Sequence, residues 1–181
     1  MTNYISVYDN VITPNKCDEF VKLFEDNKDQ SFLEKSDWRS FQEFPLDNFP
    51  ELMYEIEDLF VSYVKKYQID NNISEHIWPQ YYDLEQIHMK RYLPNDIDRF
   101  DTHADATGEL TMSRYLAMFI YLTDNDSGHT SFPTRDIKVQ PKKGRLLMFP
   151  PNFMYPHVGE KVSNKPKYIM GNYCHIMPER S

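Results

Sequence analysis

The hydrophobic period of this chain changes once, near Trp78, and that change limits the folds open to it. Before it, two stretches repeat apolar residues at helical spacing. After it no long helical period returns, and short apolar segments are divided by Gly, Pro, Asn and Asp. Thr13 suits an N-cap and Pro14 a first helical position. Cys17, Phe20, Val21 and Phe24 follow on one face, so the pattern predicts an amphipathic helix over 14–26. Pro50 opens a second helix, whose stripe of Leu52, Met53, Ile56, Leu59, Phe60, Tyr63 and Val64 runs to about Tyr67. These helices are expected to pack together on one side of a sheet. Residues 5–12 predict a short strand and turn, and 27–49 a loop with room for one short strand. Later strands are predicted over 83–92, 100–104, 113–122, 129–132, 136–139, 145–149, 154–157 and 167–176. The expected class is mostly β, a sandwich or barrel. Segment 113–122 is almost wholly apolar and reads as its central strand.

A chain of 181 residues with 40% hydrophobic and 15% aromatic content is expected to form one domain, 1–181, with a helical support region at 1–77 and a β core at 78–176. The formal net charge is −8 and no Lys/Arg-rich run occurs. Both argue against nucleic acid, whose binding rests on phosphate neutralisation. Cys17 and Cys174 form no CxxC pair and read as buried, reduced thiols. Asp9 interrupts the N-terminus where a signal peptide needs an apolar run, and no stretch reaches the ~20 apolar residues of a membrane span. The expectation is a soluble cytoplasmic protein with no membrane partner.

The candidate chemistry begins at Thr102-His103-Ala104-Asp105. Alternate residues of an extended segment face one side, so His103 and Asp105 can meet one cation. His157 is the candidate third ligand. Two His and a carboxylate leave open positions on the metal, which suits non-haem Fe(II) binding a cosubstrate and O2. Lys167 shares strand parity with Ile169, Gly171, Tyr173 and His175. If that face serves His157, an ammonium lies inside the barrel and needs an anion. A dicarboxylate cosubstrate would supply one. Lys165 has the same parity but precedes Pro166, and is a rival partner.

The order His103-x-Asp105, His157, then a basic residue ten positions on resembles the 2-oxoglutarate/Fe(II) oxygenases, and in particular their prolyl 4-hydroxylase branch. Four further stretches carry the resemblance. They are Gln86 to Tyr92, Arg114 to Thr123, Gly128-His-Thr130-Ser-Phe132-Pro133, and Val139-x-Pro141-x-x-Gly144 with Phe149. Pro156-His157-x-Gly159-x-x-Val162 and Lys167-Tyr168 close the set. The resemblance covers roughly 80–176 and, more loosely, the two helices.

That resemblance implies a double-stranded β-helix, a cupin-like jelly roll with the two helices packed on its major sheet. It implies Fe(II) held by His103, Asp105 and His157, and Lys167 paired with the distal carboxylate of 2-oxoglutarate. Tyr92, Tyr121 and Thr130 match positions around the cosubstrate; Arg114, Tyr173 and His175 match positions facing a peptidyl substrate. Tyr173 stands where the family often has Trp, Phe100 where it often has Tyr, and Ser127 where it has the first Gly of a turn. The implied reaction hydroxylates a prolyl residue of a peptide or protein, consuming O2 and converting 2-oxoglutarate to succinate and CO2, with ascorbate as reductant. The carboxylate of Asp105 favours hydroxylation over halogenation, which needs that position vacant. The readings open beside this one are hydroxylation of another side chain, a free amino acid or a nucleobase, and a cupin-like metal-binding module without turnover.

Overall fold

A computed structural model describes residues 3–179 of the chain. Two helices are present, α1 (Pro14–Asp26) and α2 (Pro50–Asp70). The Thr13 hydroxyl accepts from the Lys16 N–H at 3.2 Å and Pro14 occupies the first turn, so α1 starts where predicted. It buries Cys17, Phe20 and Phe24, and α2 buries Ile56, Phe60, Val64 and Tyr67. The buried stripe of α2 ends at Tyr67, as its apolar spacing indicated, and the helix continues to Asp70. No helix among the described residues is long and apolar enough to cross a membrane.

Twelve strands form one curled antiparallel sheet, the double-stranded β-helix the motifs implied. In chain order they are β1 (Ser6–Tyr8), β2 (Phe32–Lys35), β3 (Arg39–Pro45), β4 (Tyr82–Leu84), β5 (His88–Tyr92) and β6 (Arg99–His103), then β7 (Arg114–Tyr121), β8 (Thr130–Phe132), β9 (Ile137–Val139), β10 (Arg145–Phe149), β11 (His157–Gly159) and β12 (Lys167–Ile176). β7 lies between β10 and β12, which explains its apolar character on both faces. Leu116, Met118 and Ile120 pack toward the helices, while Ala117, Phe119 and Tyr121 face the barrel interior. β12 repeats the pattern, with Tyr168, Met170 and Cys174 toward the helices and Ile169 and Tyr173 inside. The sheet therefore separates two cores, one under the helices and one within the barrel.

Segment 5–12 supplies β1 as expected, but 27–49 holds two strands, β2 and β3, where one short strand was expected. β1 pairs with β10, and β3 pairs with both β5 and β6, so the N-terminal part completes the sheet as well as covering it. The predicted strand over 83–92 is broken into β4 and β5. The strand predicted over 154–157 begins only at His157.

Candidate metal and cosubstrate site

β6 and β11 run antiparallel with His103 opposite His157, and their rings stand 4.2 Å apart between centroids. Each imidazole uses Nδ1 on a carbonyl two residues upstream. His103 meets the Asp101 carbonyl at 2.7 Å and His157 the Tyr155 carbonyl at 3.2 Å. A carbonyl only accepts, so Nδ1 carries the proton and Nε2 keeps its lone pair for the cavity. The Phe100 ring stacks on His103 at 3.5 Å with planes 7° apart, fixing its orientation. Asp105, just beyond β6, brings Oδ1 to 3.3 Å from His103 Nε2 and Oδ2 to 3.4 Å from His157 Nε2.

One ligand atom from each of the three lies within 4.8 Å of the others. His103 Nε2 and Asp105 Oδ2 are buried and make no hydrogen bond. Buried polar atoms seldom go unpaired, and two imidazole nitrogens with a carboxylate suit Fe(II). The residues present thus fit that metal. Burial holds His157 down to about 4 despite the Asp105 carboxylate beside it, so it is neutral and able to ligate at pH 7. Burial also opposes ionisation of Asp105, but the two imidazoles beside it, His157 first, outweigh it and hold the carboxyl at about 2.

Lys167 starts β12 opposite Tyr92 of β5 and is only 2% exposed. Its ammonium donates to the Gly128 carbonyl at 2.8 Å and sits 4.4 Å from the centroid of the Tyr92 ring. Among the described residues it makes no ion pair. Burial pushes it down to about 7, with Glu160 pulling the other way. Gly128 is required here. It has a φ of +69°, and a Cβ would stand 2.4 Å from Val162 Cγ1. Lys165 is exposed, with its carbonyl taken by Asn125 Nδ2 at 2.8 Å. Lys167, and not Lys165, lines the cavity with the three candidate ligand residues, Tyr92 and Thr130. Tyr121 stands one step back, its hydroxyl donating to Thr130 Oγ1 at 2.7 Å.

The cavity opens into a mouth of about 450 Å³, floored by Phe41, Phe100, Phe119 and Tyr173. Cations and carboxylates pair around its rim: Arg39 with Glu34, Lys90 with Glu43 at 3.8 Å, and Arg114 with Glu85 at 2.7 Å. Arg114 is committed twice, since its guanidinium also lies 3.9 Å from the Tyr173 ring centroid. The Tyr173 hydroxyl donates to Asp105 Oδ1 at 3.0 Å. Strand alternation predicts His175 in this lining too. A bulge between Cys174 and His175 breaks the register, and His175 lies outside it. Sequence reasoning missed Lys90, Glu85 and Phe41. Lys90 was within reach, since it alternates with buried Met89 on the strand that carries Tyr92.

A curled jelly-roll sheet with a His-Asp-His cluster on adjacent strands and a buried cation beyond it defines a class. Over residues 87–175 the chain matches the model of the 2OG-Fe(II) oxygenase superfamily. It is a 2-oxoglutarate-dependent dioxygenase, and its cofactor and cosubstrates are Fe(II), 2-oxoglutarate and O2.

Among solved structures, it is similar to the viral collagen prolyl hydroxylase of Paramecium Bursaria Chlorella virus-1 in its 2OG complex, at 19% identity and a TM-score of 0.72 over 96% of this chain and 97% of that one. A Pseudomonas putida prolyl-4-hydroxylase aligns at 13% identity and a TM-score of 0.69, covering 98% and 95%. A Trichoplax adhaerens prolyl hydroxylase, solved with a hypoxia inducible factor oxygen degradation domain peptide fragment, aligns at 15% and 0.74, covering 96% and 84%. At these identities the likeness is one of fold. No curated protein matches the chain.

Proposed function

We propose that this oxygenase hydroxylates a prolyl residue in a peptide or protein, and that residues 1–181 form one oxygenase domain. His103, Asp105 and His157 hold Fe(II). Lys167 pairs with the distal carboxylate of 2-oxoglutarate, and Thr130, Tyr92 and Tyr121 shape the space around it. Arg114 and Tyr173 wall the side where substrate enters, and ascorbate serves as the reductant. Fe(II) with O2 and 2-oxoglutarate supplies the oxidising power for hydroxylating an unactivated C–H bond. The chain's own part is to present two deprotonated Nε2 atoms and one carboxylate oxygen, to anchor the cosubstrate, and to keep water from the cavity.

The observation that carries this reading is Lys167, a buried ammonium without an anionic partner in the same cavity as the orphaned ligand atoms. A buried charge is costly until paired, so the cavity favours a small molecule ending in a carboxylate. A peptide fits the mouth because every basic side chain on its rim already has a carboxylate partner. The local charge is balanced, leaving polar edges and an aromatic floor for an extended chain. The structural relatives include a prolyl hydroxylase solved with a peptide.

The test is succinate formation with Fe(II), 2-oxoglutarate and proline-rich peptides, with mass spectrometry of the peptide. A mass gain of one oxygen on proline, coupled to succinate, is expected. Succinate at only the peptide-free rate with every proline peptide would overturn the substrate assignment.

A further inference from the structure

The carboxylate of Asp105 has two oxygens, and the fold treats them differently. Oδ2 is buried with no hydrogen-bond partner, and Oδ1 accepts from the Tyr173 hydroxyl at 3.0 Å. We infer that Tyr173 is a positioning residue for the metal site, holding Oδ1 of Asp105 so that Oδ2 is the oxygen left for the cation. The inference rests on the His103, Asp105, His157 reading of the site.

The phenol is well placed for this task. Its ring is 8% exposed and held on both sides. The Arg114 guanidinium covers it at 3.9 Å and is itself fixed by a two-pronged bond to Glu85 at 2.8 and 2.7 Å. Phe119 meets it edge-on at 5.7 Å. A carboxylate has no proton to give at neutral pH, so the hydroxyl donates, and a hydrogen bond to a charged acceptor is among the stronger ones. Without that donor, nothing on this side distinguishes Oδ1 from Oδ2, and the carboxylate is free to turn. Removing a group that orients a metal ligand in this way typically costs about 10- to 100-fold in metal affinity. Tyr173 also forms part of the mouth, so a single ring touches the substrate side and, through its hydroxyl, the metal side.

The test compares wild type, Tyr173→Phe and His103→Ala. Phe keeps the ring between Arg114 and Phe119 and removes only the hydroxyl. Binding of Co(II), which does not react with O2, is followed by calorimetry. The visible absorption of the anaerobic Fe(II) and 2-oxoglutarate complex is recorded alongside. Tyr173→Phe is expected to weaken Co(II) binding about 10-fold and to shift the absorption. Affinity for 2-oxoglutarate at saturating Co(II) is expected to stay at the wild-type value, because Lys167 is untouched. Wild-type Co(II) affinity and absorption in Tyr173→Phe, beside a His103→Ala variant that has lost the metal, would overturn the role of Tyr173 alone. A parallel loss of 2-oxoglutarate affinity would also overturn it, as the mark of a general disturbance of the cavity. Retention of Co(II) by His103→Ala would remove the triad reading and this inference together.

Discussion

Among the described residues Lys167 has no anionic partner, and burial disfavours its charged form. Its ordinary pKa of 10.5 falls to about 7 on burial. Between those values the unfolded chain binds a proton that the folded chain has released. Stability therefore rises with pH across this window, and the penalty for the buried ammonium is present in full below about pH 7. Lys167→Met removes the penalty while keeping the side chain's length. In protein free of metal and 2-oxoglutarate, the variant is expected to be more stable than wild type by roughly 1–3 kcal/mol at pH 6. The gain should shrink as pH rises toward 10, as measured by urea unfolding at several pH values. The same change should weaken 2-oxoglutarate binding by at least ~30-fold, the cost of leaving a buried carboxylate without its partner. A variant less stable than wild type, with unchanged 2-oxoglutarate affinity, would show that the ammonium serves the fold and not the cosubstrate.

At the scale of the element, β12 does most to build the site, because its alternation sends one set of side chains under the helices and the other into the cavity. Gly171 is the narrow point of that inner face. A Cβ there would stand 2.7 Å from Phe119 Cδ1 and 2.9 Å from Cε1. Gly171→Ala is thus expected to push the Phe119 ring into the mouth, at a cost of about 1–3 kcal/mol in stability. A lowered denaturant midpoint, with peptide turnover falling more than peptide-free succinate formation, would bear this out.

The alternation of β7 and β12 was legible in the sequence because both strands are buried on two faces and few polar residues interrupt them. The candidate ligand residues and Lys167 stood out because their chemistry is unusual at those parities. β3 was not. Its Phe41 faces the barrel and its Phe44 the helices, while Arg39, Gln42 and Glu43 between them spend their polar groups on Glu34, Arg91 and His88. Such a strand has no apolar period to read. The bond between Tyr173 and Asp105 spans 68 residues and depends on a register that neither segment announces.

At the scale of the whole molecule, the site is a meeting point of distant segments. β6 and β11 bring the imidazoles, β5 brings Tyr92, β12 brings Lys167, and the turn before β8 brings the Gly128 carbonyl. None of these positions exists in the unfolded chain, so a ligand that binds here binds the folded state and stabilises it by mass action. At a ligand concentration 100 times its Kd the gain is about 2.7 kcal/mol. For a chain of this length each kcal/mol corresponds to roughly 2–4 °C in Tm. Co(II) and 2-oxoglutarate are therefore expected to raise Tm in two separable steps. His103→Ala should abolish the Co(II) step. Lys167→Met should keep the Co(II) step and lose most of the step due to 2-oxoglutarate. Full shifts in both variants would mean that the two ligands are held elsewhere. A 2-oxoglutarate step lost in His103→Ala but kept in Lys167→Met would place the cosubstrate on the metal without its anchor in β12.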